Sequence, residues 1–597
     1  VIALLQELRR YVQTHGLPAR PGYNAKTVKW IIVLNEDGSY VDVTEDQRTF
    51  PACPDLGQPE LASTQGKHSQ FLADTLSVVT GFAADATDDK TPRKHACFVS
   101  LLKEASVYCR ELALCARTLE DEATVTRIND ALKARKAKGT EKVSFRVGPR
   151  FVAEMTAWRG WWEGYRAKLY SNKADEEMLC LLSGEIVKPA LTHNLKLKLS
   201  RVDGQPSGSS LISFDKEAFT SYGLSQSTNA ACSEAAAVEY ATALNDLIGK
   251  APAPLGGMLT LHWYSKKIED EKDDLFADIM SFGEESEAAQ ALIKARELLT
   301  AIRTGKRPDL TGNCYFVLQV SGSGGRVMVR DWFSGDFVRL VESINAWYDD
   351  LAIIRPRGDA IAESPKLRGL LTRLVSYRPG EKYQDTIDRI DKQLAPLLPR
   401  LWRTILEGGS LPDAAAQGAL SYARSRLLRE DNDQSSGNLD RVACAVLKAW
   451  LVRKTEKKPN EETAMNAKLN RDHPAAAYQA GRLMAVLAAL QTSALGNVGA
   501  GVVQRYYAAA STTPSLVLGR LVRNAQYHLQ KIESKGLAVW YEQQIAEIMT
   551  RLGDQPPAIL DMEGQTLFAL GYYQQKADLY SGKKTDDTTP ENNEGGN

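Results

Sequence analysis

The chain has 597 residues, 43% hydrophobic and 25% charged, with 74 Lys+Arg against 74 Asp+Glu. That length exceeds one hydrophobic core and predicts two to four domains. No apolar run approaches the roughly 18 residues of a membrane span, so no membrane partner is expected. The zero net charge gives no chain-wide signal for nucleic acid, although local patches still can.

The opening VIALLQELRRYVQ lacks the basic start and small-residue cleavage site of a signal peptide and predicts an amphipathic helix over 1–15. Val28–Leu34 reads as a strand, Asn35–Gly38 as a turn and Tyr40–Val43 as the return strand. Residues 51–71 read as irregular. Residues 95–136 are helix-rich and run into Lys133–Lys138, a solvated basic helix end. Trp158, Trp161, Trp162 and Tyr165 fall at i, i+3, i+4 and i+7, a helical stripe that predicts core packing rather than a base-stacking platform.

Residues 178–201 read as a strand, a turn and a basic edge. A helix over 233–249 opens on a Ser233 N-cap. After the Pro/Gly linker 251–257 comes a strand over 258–264. In residues 314–337, CYFVLQVSGSGGRVMVRDWFSGDF, the glycine-rich centre invites reading as a phosphate cradle. A cradle needs a helix N-terminus after the glycines. Here Arg326–Phe333 is β-rich and the helical pattern begins only near Phe337, so Ser321–Gly325 predicts a hairpin turn.

Beyond residue 338 strand signals almost vanish. Linkers near 430–437 and 455–473 interrupt a helical region, and the polar stretch 581–597 predicts disorder. The fold class expected is α+β. A mixed α/β N-terminal body with antiparallel hairpins (1–337) precedes an all-helical C-terminal domain (338–580).

Motifs for catalysis are missing. There is no G-x-S-x-G, H-E-x-x-H or phosphate loop; Gly66-Lys67 is followed by His68, and Pro54-Asp55 has no E-x-K nearby. The seven histidines (His15, His68, His95, His193, His262, His473, His528) are dispersed. The eight cysteines (Cys53, Cys97, Cys109, Cys115, Cys180, Cys232, Cys314, Cys444) form no C-x-x-C. No metal or cofactor is therefore expected, and scattered thiols fit a reducing cytoplasm.

Three polar loops beside strands remain: Ala62–Gln70, His193–Arg201 and Ser225–Asn229. Lys and Arg bind phosphates, and Gln and Asn read base edges. Read alone, each is more often an ordinary surface loop.

Several stretches, in order, resemble the large subunit of the type I-C CRISPR Cascade surveillance complex. They are Pro21-Gly22-Tyr23 with Val28–Leu34, Gly66-Lys67 with Phe71–Asp74, Cys180–Glu185, and Ser213-Phe214 with Ala218-Phe219. Ser221–Gly223, Gln226, Asn229, Phe316–Leu318 and Arg330–Phe333 follow. The last are Tyr478–Leu483 and Phe568–Lys576, where Gln and Lys stand in place of the family's His and Arg. The match spans about 20–576.

The resemblance implies a non-catalytic subunit at the foot of the complex. Its partners would be CRISPR RNA, target double-stranded DNA, the backbone, handle-binding and small subunits, and a recruited helicase–nuclease. Base pairing reads the long target and protein reads the short adjacent motif. The residues it implies for DNA are Ser63, Thr64, Gln65, Gly66, Lys67 and Gln70, with Gln226 and Asn229 second. Gln65 and Gln70 would read base edges, Gly66 would allow close approach, and Lys67 would contact phosphate. Lys196, Lys198, Arg201, Arg326 and Arg330 are the candidates for RNA or partner contact. In such families the C-terminal helical part can also be made from an internal start as the small subunit. Met484 suits that start, giving a bundle over 484–580, and equally suits a helix core.

Overall fold

The computed structural model describes residues 2–57, 67–84, 88–170, 176–268, 274–280, 285–428, 438–454, 465–496 and 501–581. The expected linker 430–437, most of 455–473 and the expected disordered tail beyond 581 lie outside the described residues. So do Ser63, Thr64, Gln65 and Gly66. Two compact units emerge: Val1–Ala251 with Ser321–Met328, and Pro252–Val320 with Val329–Asn597. The stretch 1–337 thus contributes to both.

The first unit opens with α1 (Ile2–His15), which buries Leu4, Leu5, Leu8, Tyr11 and Val12 on one face. β1 (Tyr23–Leu34) pairs antiparallel with β2 (Tyr40–Pro54) and parallel with β4 (Lys142–Val147). The order is β2-β1-β4-β3, with β3 at Asp74–Thr75 and β5 (Arg150–Phe151) pairing β4. Helices α2 (Leu76–Thr80), α3 (Lys90–Ala105), α4 (Arg110–Glu120) and α5 (Glu122–Ala134) separate β3 from β4.

β2 is far longer than the return strand expected at Tyr40–Val43, and it takes in the first residues of the stretch expected to be irregular. It lies at the sheet edge with a polar middle, Thr44–Thr49, and Gln47 at φ +36°. A solvated edge needs no apolar alternation, so the period-2 signal is missing from a real strand. Residues 178–201 depart in the other direction. They hold only two-residue strands, β6 (Met178–Leu179) and β7 (Ile186–Val187), about a turn with Gly184 at φ +73°. The apolar run there closes a turn.

The tryptophan stripe is core. Trp158 and Trp162 are fully buried, and their indole N–H groups donate to Val152 O and Gly22 O, both at 2.9 Å. Trp158 itself precedes α6 (Arg159–Tyr170). Next, α7 (Glu234–Lys250) starts at Ser233, whose hydroxyl accepts from Ala236 N at 3.1 Å. It binds α1 through Arg9–Glu239 at 2.5 Å and Tyr11–Asp246 at 2.6 Å.

In the second unit β8 (Leu259–Tyr264) pairs antiparallel with β9 (Cys314–Ser323), which turns into β10 (Arg326–Asp336). Gly324 and Gly325 both have positive φ, +53° and +81°, the requirement of a tight hairpin turn. The glycine-rich stretch is that turn. Its tip belongs to the first unit: Ser210 N donates to Gly325 O at 2.8 Å, and a Cβ on Gly322 would lie 2.4 Å from Gly204 Cα.

α8 (Leu275–Met280) and α9 (Glu285–Arg303) lie between β8 and β9. α10 (Phe337–Leu351) is capped by Asp336, which accepts from Val338 N and Arg339 N. Only helices follow among the named elements: α11 (Leu367–Leu371), α12 (Tyr383–Gln393), α13 (Leu398–Glu407), α14 (Asp413–Leu427) and α15 (Arg441–Lys454). The last five are α16 (Ala476–Leu495), α17 (Val502–Ala510), α18 (Pro514–Lys531), α19 (Lys535–Leu552) and α20 (Met562–Ser581).

α16 and α20 carry the last two stretches of the resemblance and cross at contact distance. A Cβ on Gly481 would fall 2.0 Å from Phe568 O, and one on Gly571 would fall 2.1 Å from Tyr478 O. The fully buried Arg482 donates to Gln575 Oε1 at 2.8 Å, and Tyr478 OH donates to Gln574 Oε1 at 2.5 Å. The glutamines in this chain thus accept from α16. Met484 is also fully buried, in mid-helix. A chain starting there would lack Tyr478, Gly481 and Arg482.

Gly481→Ala should destabilise the second unit by about 3 kcal/mol, because the added methyl meets backbone that cannot yield. Gly164→Ala in α6, where nothing lies within 4 Å, should stabilise by about 0.5–1 kcal/mol. Thermal unfolding of the two variants checks both directions.

Candidate nucleic-acid interface

The first candidate loop is closed by residues outside its centre. Lys26 sits on β1 beside a register shift, which turns its side chain inward, to 5% exposure. Its ammonium donates to Pro54 O and Gln70 Oε1, both at 2.7 Å, and pairs with Asp55 at 3.1 Å. Gln70 Oε1 also accepts from Leu56 N at 3.0 Å. Its Nε2 donates to Asp55 Oδ1 at 3.0 Å and Leu56 O at 3.2 Å. Phe71, next in sequence, packs among Trp158, Trp161 and Trp162.

A buried cation is tolerated only with such full pairing. Gln70 is therefore a strut whose amide is engaged on both ends, while Lys67 is exposed.

The three loops adjoin one another. A Cβ on Gly57 would meet the Asn194 amide carbon at 2.5 Å, so the second loop packs against the entry to the first. Ser227 N donates to Leu191 O at 3.1 Å, which joins the third loop to the second. Their cations differ in availability. Lys196 donates to Ser210 Oγ at 2.5 Å, and burial lowers its pKa. Burial, then the Lys196 charge, holds His193 down to about 4, so it is neutral and bonds the Tyr240 hydroxyl at 2.6 Å.

Arg201 donates to Ala251 O at 3.1 Å and caps the end of α7. Arg326 pairs with Asp215 at 3.0 Å and lies 5.1 Å from the Phe219 ring centre. Lys198 and Arg330 are exposed. In the third loop Asn229 Nδ2 donates to Leu224 O at 3.0 Å and Gln226 O at 2.9 Å, holding the loop's shape, whereas Gln226 faces solvent at φ +50°.

A second basic surface, in the other unit, escaped the sequence reading. From His473 to Ile532 the chain has no Asp or Glu, although it carries 74 acids in 597 residues. Arg505 on α17 and Arg520, Arg523 and Lys531 on α18 are exposed there and make no ion pair among the described residues. A cavity of about 270 Å³ between these helices is lined by Gln491, Arg505, Tyr506, Asn524, Tyr527 and His528, among others. Unpaired cations beside aromatic rings suit a single strand, whose backbone meets charge and whose bases stack. The whole-chain balance had averaged this local excess away.

Among the described residues no helix is long and apolar enough to cross a membrane, and no group of three or more His, Cys, Asp or Glu could hold a metal ion.

Residues 4–580 match a family of CRISPR-associated proteins, described as CRISPR-associated protein (Cas_Csd1). The chain belongs to this Csd1 family, consistent with the large subunit of the type I-C Cascade that its ordered segments resemble. A search of curated proteins gives no match.

Gln70→Ala should loosen the closure of the first loop without unfolding the sheet. Hydrogen exchange should rise at the Leu56 amide, which loses its acceptor, and stay unchanged at the β1–β4 amides. Protection unchanged at Leu56 would remove Gln70 from its role as strut.

Proposed function

We propose that this Csd1-family chain is the non-catalytic subunit that recognises the protospacer-adjacent motif in target duplex DNA. On this reading it helps open the R-loop and presents a surface to a helicase–nuclease. It acts in the cytoplasm with CRISPR RNA and the backbone, handle-binding and small subunits.

The observation that carries the reading is the basic face of α17 and α18, whose Arg505, Arg520, Arg523 and Lys531 are exposed and make no ion pair among the described residues. The three adjoining loops support the duplex-facing half. Gln65 and Gln226 are the candidate base readers, Lys67 and Lys198 the phosphate contacts. Gln70 and Asn229 hold the loops in shape. Ser63, Thr64 and Gly66 belong to the same first loop.

The deciding experiment is reconstitution with type I-C partner subunits and CRISPR RNA. Binding is measured to duplexes that differ only in the flanking motif, with and without this chain. Discrimination that depends on the chain supports the reading; equal discrimination without it leaves an architectural scaffold. Metal-dependent cleavage by the purified chain would contradict the non-catalytic assignment.

Two substitutions test the parts. Lys67→Ala should weaken binding to all sequences alike, while Gln65→Ala should relax motif preference. Replacing Arg505, Arg520, Arg523 and Lys531 together by Ala should flatten the salt dependence of single-strand binding by about 0.7 in log–log slope per cation.

A further inference from the structure

The turn just before the third loop has a feature that the reading above does not use. Ser221–Leu224 forms a tight turn, closed by Leu224 N to Ser221 O at 2.8 Å. Its central residues are Tyr222 at φ +51° and Gly223 at φ +77°. Positive φ at both central positions favours Asn-Gly or Gly-Gly. A bulky ring at the first position is strained, at a cost of order 1–3 kcal/mol. Tyr222 returns none of this through packing, because it is 100% exposed.

The rest of the loop is built to hold that ring out. Phe219, at the root, stands edge-on to Phe214 with ring centres 6.4 Å apart and lies under Arg326. On the return side Asn229 clamps the carbonyls of Leu224 and Gln226. Ser227 is buried and tied to Leu191. The turn is thus fixed at both feet with one aromatic ring at its summit.

The surroundings favour one kind of occupant. Thr220, Ser221, Gly223, Ser225 and Gln226 are exposed around the ring, all small or polar. A protein hot spot would sit within an apolar, water-excluding ring of contacts. A nucleobase needs only a flat face and a hydrogen bond at its edge, which Tyr222 and the neighbouring Gln226 amide can supply. Charge is balanced around the turn, with Arg326 paired to Asp215 and the exposed Lys216 followed by the exposed Glu217, so the ring and the amide rather than a local field would do the recognising.

We infer that Tyr222 is a base-stacking tip that takes an unstacked nucleobase at a duplex end or fork, with Gln226 at the base edge. This rests on the nucleic-acid reading above and goes beyond it by naming the stacking residue.

The test uses the full chain and a forked DNA carrying 5-iodouracil at the fork, a base that photocrosslinks to a stacked aromatic ring. Affinity is measured in parallel. The crosslink should map to Tyr222. Tyr222→Ala should abolish it and weaken fork binding about tenfold, while Tyr222→Phe should keep both. Tyr222→Gly, which relieves the positive φ, should behave as Tyr222→Ala, so misfolding does not account for the loss. Fork binding unchanged in Tyr222→Ala with the crosslink mapping elsewhere overturns the tip alone and leaves it to a protein contact. No fork binding by the unaltered chain overturns the nucleic-acid reading and the tip with it.

Discussion

The crossing of α16 and α20 is the constraint on which the helical unit depends. Two glycines, Gly481 and Gly571, each face a carbonyl of the opposite helix at a distance no Cβ could occupy. Backbones this close leave no room for intervening apolar side chains. The polar groups at the crossing then pair with one another, Tyr478 with Gln574 and Arg482 with Gln575 and Gln479, while the buried Gln575 Nε2 is left without an acceptor. The result is a polar core inside an apolar bundle, where each member has a partner and loss of one strands another. Helices α17, α18 and α19 gather about α16, so the basic face of α17 and α18 is built onto that crossing.

The sequence made the hairpin at Gly324-Gly325 legible because its cause is local: two apolar runs, glycines between them and no helix pattern after. The helical third, the tryptophan core and the Ser233 cap were legible for the same reason. β2 was not, since an edge strand with a polar middle has no period to read. Nor could sequence separate Gln226 from Gln70 and Asn229 as residue types. All three carry the same amide; what divides them is a partner brought in from β1 for Gln70 and the loop's own carbonyls for Asn229. Lys196, Arg201 and Arg326 show the same limit, for their partners lie between 14 and 111 residues away.

Charge balance hid the other half. The 74 cations and 74 anions cancel only when summed over the chain. Many arginines are held in pairs such as Arg453–Asp350 and Arg389–Glu381, both near 2.5 Å. A cation so paired offers little to a phosphate. What a polyanion meets is the remainder, and on α17 and α18 the remainder has one sign.

The stitch of Lys26, Asp55 and Gln70 has an evolutionary consequence. It brings the two ends of the first loop together through residues that frame it. The entropy of closing a loop grows only slowly with its length. Once closure is done by the frame, the residues between can be exchanged, added or removed at small cost to the sheet beneath. A segment framed in this way can change in length and composition over evolutionary time while the fold beneath it stays constant.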